Sequence, residues 1–171
     1  MAFSVVERQK LKNAVEQVLH VPGNYRGGIL EMAVVVDYHL PLSDIREITT
    51  ETVSLLKSHS EIFRNVRFHL IHWKSDNTIV KESSSMAKVL TGVAWENYEQ
   101  STDEKYLDEL TRQLKLYYAR SKLILLITDK EPLIREEEQV QKNMQPFLEK
   151  KLIYLIKEKE NIRIVRANRK E

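Results

Sequence analysis

The chain of 171 residues contains no cysteine and only four glycines and four prolines. Without cysteine there are no disulfides, thiolate nucleophiles, iron-sulfur clusters or Cys-containing zinc sites, so any chemistry must come from oxygen and imidazole groups. The glycines stand at 23, 27, 28 and 92, which matches neither a GxGxxG nor a P-loop pattern. Nucleotide-dependent catalysis through a phosphate-cradling loop is therefore not expected. No apolar stretch approaches the roughly 18 residues that cross a bilayer. Residues Met1 to Lys10 show no cationic segment followed by an apolar run, so the expectation is a soluble, cytoplasmic protein with no membrane partner.

Charge of one sign is also scarce. The 27 basic and 25 acidic side chains leave a formal charge of +2, which argues against a protein that holds nucleic acid by counterion release. The basic residues Arg163, Arg166, Arg169 and Lys170 near the end of the chain read as solvated charge. What is present is a globular composition, 42% hydrophobic and 30% charged, long enough for one domain of ordinary size.

Apolar positions Leu11, Val15, Val18 and Leu19 recur at helical spacing after Ser4, a cap residue, and predict an amphipathic helix over Ser4 to His20. The turn-rich segment from Val21 to Gly28 ends it, so residues 1–28 read as a helix and linker ahead of a single domain over 29–171. Ile29 to Val36 is a β-branched apolar run, the pattern of a strand buried on both faces. A helix carrying Ile45, Ile48, Leu55 and Leu56 starts near Pro41 and Ser43. Val66 to Trp73 reads as a strand, and Thr78 to Lys81 as a short edge strand.

Ser83 to Gly92 holds one or two helical turns, with Ser83 to Ser85 as turn and cap, and Val93 to Thr102 reads as an irregular loop. Thr102 or Asp103 caps a helix with Leu107, Leu110, Leu114 and Tyr117 on one face. Leu123 to Ile127 is a second wholly apolar strand. A helix over Leu133 to Leu148 carries Glu136, Glu137 and Glu138 at its positive end. Leu152 to Ile156 and Ile162 to Val165 are further strands. This alternation predicts an α/β fold of three layers, a mostly parallel sheet with helices on both faces. Ligands of such sheets meet the carboxyl ends of the central strands, where Asp37 and Asp129 stand.

The order of a strand ending in Asp37, a helix, a strand, an edge strand, a loop with Thr102-Asp103, and a strand ending in Thr128-Asp129 resembles the von Willebrand factor A domain over roughly residues 29 to 165. The resemblance implies that family's Rossmann-like topology and a metal-ion-dependent adhesion site for Mg²⁺. Asp37 matches the first aspartate of the family's Asp-x-Ser-x-Ser motif, Thr102 the later threonine and Asp129 the last aspartate. The two serines are replaced by His39 and Pro41, and Lys130 stands where a glycine usually follows. Pro41 offers no side-chain donor, and His39 offers nitrogen rather than the oxygen that a hard cation prefers. A degenerate site is implied, with Mg²⁺ or Mn²⁺ as candidate ions and no other cofactor.

Other candidates have plainer explanations. His69 and His72, at odd separation in one strand, point to opposite faces and read as packed side chains. His20 and His59 lie near helix C-termini, where an imidazolium suits the dipole. A hydrolase built on Ser43, His39 and Asp37 or Asp129 has no GxSxG elbow and no oxyanion glycine. Trp95 and Tyr98 are either packed or an aromatic anchor, and burial is the expectation for the tryptophan.

The expected function is a non-enzymatic module that binds another protein through Asp37 to Pro41, Trp95 to Thr102 and Asp129 to Pro132. Asp37, His39, Trp95, Tyr98, Thr102, Asp129 and Lys130 are the candidate binding residues. The alternative is a divalent-metal-dependent enzyme acting on phosphate esters or nucleic acid through Asp37, His39 and Asp129.

Overall fold

A computed structural model describes residues 2–19, 29–60, 65–83, 85–145 and 151–166. The predicted linker with three of the glycines, His20, the side chains of His59 and Ser83, Ser84, Arg169, Lys170 and the end of the helix expected to reach Leu148 lie outside the described residues.

Among the described residues the α-helices and strands follow in this order: α1 (Val5–Leu19), β1 (Ile29–Asp37), α2 (Leu42–Ser60), β2 (Asn65–Trp73), β3 (Ile79–Ser83), α3 (Met86–Leu90), α4 (Leu107–Tyr117), β4 (Leu123–Thr128), α5 (Glu137–Met144), β5 (Leu152–Glu158) and β6 (Asn161–Arg166). The strands form one sheet in the order β3-β2-β1-β4-β5-β6. The fold is α/β, and the sheet is mixed. The pairs β1–β2, β1–β4 and β4–β5 are parallel, whereas the edge strands β3 and β6 run antiparallel to their neighbours. Both reversals follow short connections, through residues 74–78 and 159–160, too short for the crossover that a parallel neighbour requires.

Alternation along β1 divides the interior in two. Leu30, Met32, Val34 and Val36 join Leu11, Val15 and Val18 of α1 and Ile45, Ile48 and Leu56 of α2 in one core. Ala33 and Val35 point the other way, into a core with Leu107, Leu110 and Leu114 of α4 and Val140 and Met144 of α5. Helices thus cover both faces of the sheet, and each core side chain removed from water contributes roughly 1.5–3 kcal/mol. Among the described residues no helix is long and apolar enough to cross a membrane.

Helix α1 belongs to its own chain's core. Ser4 caps it in a reciprocal pair with Glu7: the Glu7 amide donates to Ser4 Oγ at 3.1 Å and the Ser4 amide to Glu7 Oε1 at 2.9 Å. The other Glu7 oxygen accepts the Ile162 amide of β6 at 2.7 Å. Glu51 of α2 accepts the amides of Ala2 and Phe3.

Two helices begin later than the sequence pattern predicts. Helix α4 starts at Leu107 rather than Asp103 because Tyr106 is extended and bridges to Leu133: the Leu133 amide donates to Lys105 O at 2.8 Å and the Leu107 amide to Leu133 O at 2.7 Å. The same bridge makes Leu133 extended rather than helical. Helix α5 begins only at Glu137, after the amides of Arg135 and Glu136 have found Asp108 of α4 at 2.9 and 2.8 Å.

Candidate functional site

The parallel register places the ends of β1 and β4 side by side, with Val36 opposite Ile127. Asp37 continues the Ala33 and Val35 face, toward the segment that leads into α4. Its carboxylate is 2% exposed. Thr128 Oγ1 donates to Oδ2 at 2.7 Å and the His39 amide to Oδ1 at 2.9 Å. Burial pushes the Asp37 carboxyl above its ordinary value, and the His39 amide, the Thr128 hydroxyl and the Lys105 ammonium oppose that rise.

The countercharge is Lys105. Its Nζ lies 3.7 Å from Asp37 Oδ1, 3.5 Å from Asp103 Oδ1 and 2.5 Å from Ser101 Oγ, and the residue is 3% exposed. The Ser101 hydroxyl in turn donates to Asp103. The root of Lys105 is held from both sides: Asn77 donates to Glu104 O at 3.0 Å and accepts the Tyr106 amide at 2.8 Å, while Lys105 O accepts Leu133. Asn77 itself has φ of 55°, a left-handed conformation that asparagine tolerates better than most residues.

A second set of bonds ties the loops above the sheet together. His39 Nδ1 bonds to Asp129 Oδ2 across the ends of β1 and β4. Gln100 donates to His39 O at 3.0 Å, Tyr98 OH to Leu40 O at 2.5 Å, and the Ser101 amide to Tyr38 O at 2.8 Å. Segments 37–41, 98–101 and 129 are therefore one interlocked surface. His39 and Asp129 remain 32% and 26% exposed, and Lys130 and Thr102 are exposed.

Beneath that surface Tyr38 OH lies 2.6 Å from His72 Nδ1, and His72 Nε2 lies 3.1 Å from Glu82 Oε2. A neutral imidazole facing a carboxylate carries its proton on Nε2, so Nδ1 accepts and the tyrosine donates. Burial holds His72 below its ordinary pKa, against the pull of Glu82, and the hydrogen bond from His72 holds Glu82 below its own. His69, as its odd spacing from His72 requires, faces the other core, against Tyr118 and 2.9 Å from Glu31.

The predicted site residues therefore separate into groups. Asp37 is internal, and His39 and Asp129 form a pair at the surface. Tyr98 is half-buried over Tyr38. Trp95 is 2% exposed and meets His72 edge-on, so it is core and not an exposed anchor. Its position in a short 3-10 turn over the sheet end directs the indole inward. Ser43 is exposed on α2.

The metal ligands implied by the resemblance do not converge. Thr102 faces solvent, and the hydroxyl that turns inward belongs to Ser101, one residue earlier. Asp129 is engaged with His39, and the ammonium of Lys105 stands beside Asp37. Among the described residues no group of three His, Asp or Glu side chains is arranged to hold a metal ion. A divalent cation does not fit against these residues, because it would need oxygens at about 2.0–2.1 Å where Lys105 brings positive charge and hydrogen atoms.

Sequence reasoning missed Lys105, Ser101 and Asn77. Their partners lie up to 68 positions away, and no local periodicity marks them. Asp103 was legible as a polar residue before a helix, although its carboxylate accepts the Asp76 amide at 2.7 Å rather than capping α4.

No family model matches the chain, and no curated protein sequence aligns with it significantly.

Proposed function

We propose that this chain is a non-enzymatic interaction module of the von Willebrand factor A type, with a degenerate metal site, that binds another protein through the loops at the carboxyl edge of its sheet. A three-layer arrangement of that family's type and a cytoplasmic location go with this reading. The observation that carries it is the interlocking of three loops around His39, through Asp129, Gln100 and the Tyr98 hydroxyl. Such cross-ties fix a surface before binding, which reduces the ordering cost that association otherwise meets. The order of a strand ending in Asp37, a helix, two strands, a loop and helix, and a strand ending before Asp129 supports the same reading.

Site-specific photo-crosslinkers at Lys130 and Glu99, with a control at Arg67 on the opposite edge, test the proposal. The expected result is one common partner polypeptide captured from both loop positions and none from Arg67. Replacing His39 and Asp129 together by alanine should cut capture by about tenfold, the loss that follows from roughly 1.4 kcal/mol of binding energy. Equal labelling from Arg67, or undiminished capture by a folded double variant, would sink the proposal.

A further inference from the structure

We infer that Lys105 is the resident cation of this site, a covalently tethered substitute for a divalent ion that sets the carboxyl-edge loops without metal. The inference rests on the reading of that edge as the working surface and adds its regulation: the surface is permanently set and does not wait for an ion.

A carboxylate placed at the end of a buried strand demands a positive partner or several donors, because an isolated buried charge is very costly. Asp37 has the Thr128 hydroxyl and the His39 amide, and its compensating charge is an ammonium. An ammonium offers three donors and no acceptor. Three oxygens surround this one, from Asp37 on β1 and from Ser101 and Asp103 on the loop before α4.

These are the groups a hard cation would also select: carboxylate and hydroxyl oxygens brought together from a strand end and a neighbouring loop. Lysine and ion are therefore alternatives for one place. The backbone around Lys105 is pinned by Leu133 and Asn77, so the root of the side chain is held where its ammonium reaches Asp37. Two carboxylates, Asp37 and Asp103, face this single ammonium. Removing it leaves the buried carboxylate of Asp37 uncompensated beside the partly exposed one of Asp103, a pair that either repels or recruits another cation.

The ammonium also fixes the loops indirectly. Asp37 orients the His39 amide, and Ser101, bound to Nζ through its hydroxyl, presents its own amide to Tyr38 O. One turn bond, from the His39 amide to Asp37, and one loop crossing, from the Ser101 amide to Tyr38 O, thus involve residues that face Lys105.

Manganese uptake, followed by the electron paramagnetic resonance of the free ion, and melting temperature in EDTA, Mg²⁺ and Mn²⁺ test the inference on the full chain. The wild-type protein should show no saturable Mn²⁺ uptake and the same melting temperature in all three. Lys105→Ala should take up one Mn²⁺ and gain about 5 °C or more on its addition, as saturating binding to a native state gives. Lys105→Ala/Asp37→Ala should lose that response.

Saturable Mn²⁺ uptake by the wild type that Asp37→Ala abolishes would overturn the inference, as would a folded Lys105→Ala protein indifferent to the ion. Should Lys105→Ala not fold in any of the three conditions, Asp37→Asn/Lys105→Met removes both charges together. That variant should fold and ignore Mn²⁺, and its failure to fold would also count against the inference. None of these readouts needs a partner, so they separate this inference from the interaction reading, which stands or falls on the crosslinking.

Discussion

The ammonium of Lys105 stands 3.7 Å from Oδ1 of Asp37, with both residues at most 3% exposed. A buried ion pair adds little over a well-packed apolar pair, yet removing one member strands the other at a cost of about 3–5 kcal/mol. Lys105→Met is therefore expected to destabilise the fold by about that amount in urea denaturation. Asp37→Asn/Lys105→Met should recover most of the loss, since no charge is left uncompensated. Additive single and double losses would show that the two side chains act independently.

Trp95 gives a prediction that separates packing from binding. The indole is 2% exposed and meets the His72 ring edge-on with centroids 5.7 Å apart. Trp95→Ala is expected to cost about 3–5 kcal/mol, the usual price of emptying an aromatic core position. The fraction of the variant that remains folded should capture the partner as the wild type does. A folded variant of unchanged stability that fails to capture would return Trp95 to the binding surface.

The strands were legible because burial on both faces writes itself as near-continuous apolar runs: Ile29 to Val36, broken only by Glu31, and Leu123 to Ile127 lie within one residue of β1 and β4. The paired ends of those strands were legible too, since Asp37 and Asp129 interrupt the runs. The centre between them was not. Lys105 reads locally as a charged residue before a helix, and its inward turn depends on Leu133 and Asn77, contacts made only when the chain has folded. The early starts predicted for α4 and α5 fail for the same reason, because the extended bridge between Tyr106 and Leu133 overrides helical periodicity.

Asp108 illustrates how such long-range capping is distributed. Its two carboxylate oxygens accept the Arg135 and Glu136 amides ahead of α5. Burial alone would lift its pKa, but these two bonds, together with its own amide and the Arg135 charge, hold it below the usual value. Asp108→Ala is expected to cost about 1 kcal/mol, the scale of a lost helix cap, and to speed amide exchange through residues 135–140. Unchanged exchange there would show that Asp108 does not anchor the helix start.

The chain Tyr38–His72–Glu82 predicts how stability responds to acid. His72 is held below its ordinary value of 6.5 by burial, against Glu82 and with Lys74 adding to the fall. Lys88 lies 3.4 Å from the same Glu82. A histidine whose folded pKa is depressed binds its proton more readily in the unfolded chain, so stability is full above about pH 6.5 and falls as pH drops below it. Glu82, also depressed, adds a loss below its ordinary 4.5. Asp37, lifted by burial, acts with the opposite sign at pH values above 3.8, so the informative comparison is between proteins at one pH. Urea midpoints at pH 7, 6 and 5 should fall for the wild type, with a slope of at most about 1.4 kcal/mol per pH unit for a single proton. His72→Gln, which keeps a polar link but does not titrate, should flatten that slope over the same range. An equal slope in the variant would assign the acid sensitivity to other groups and leave His72 as a packed ring alone.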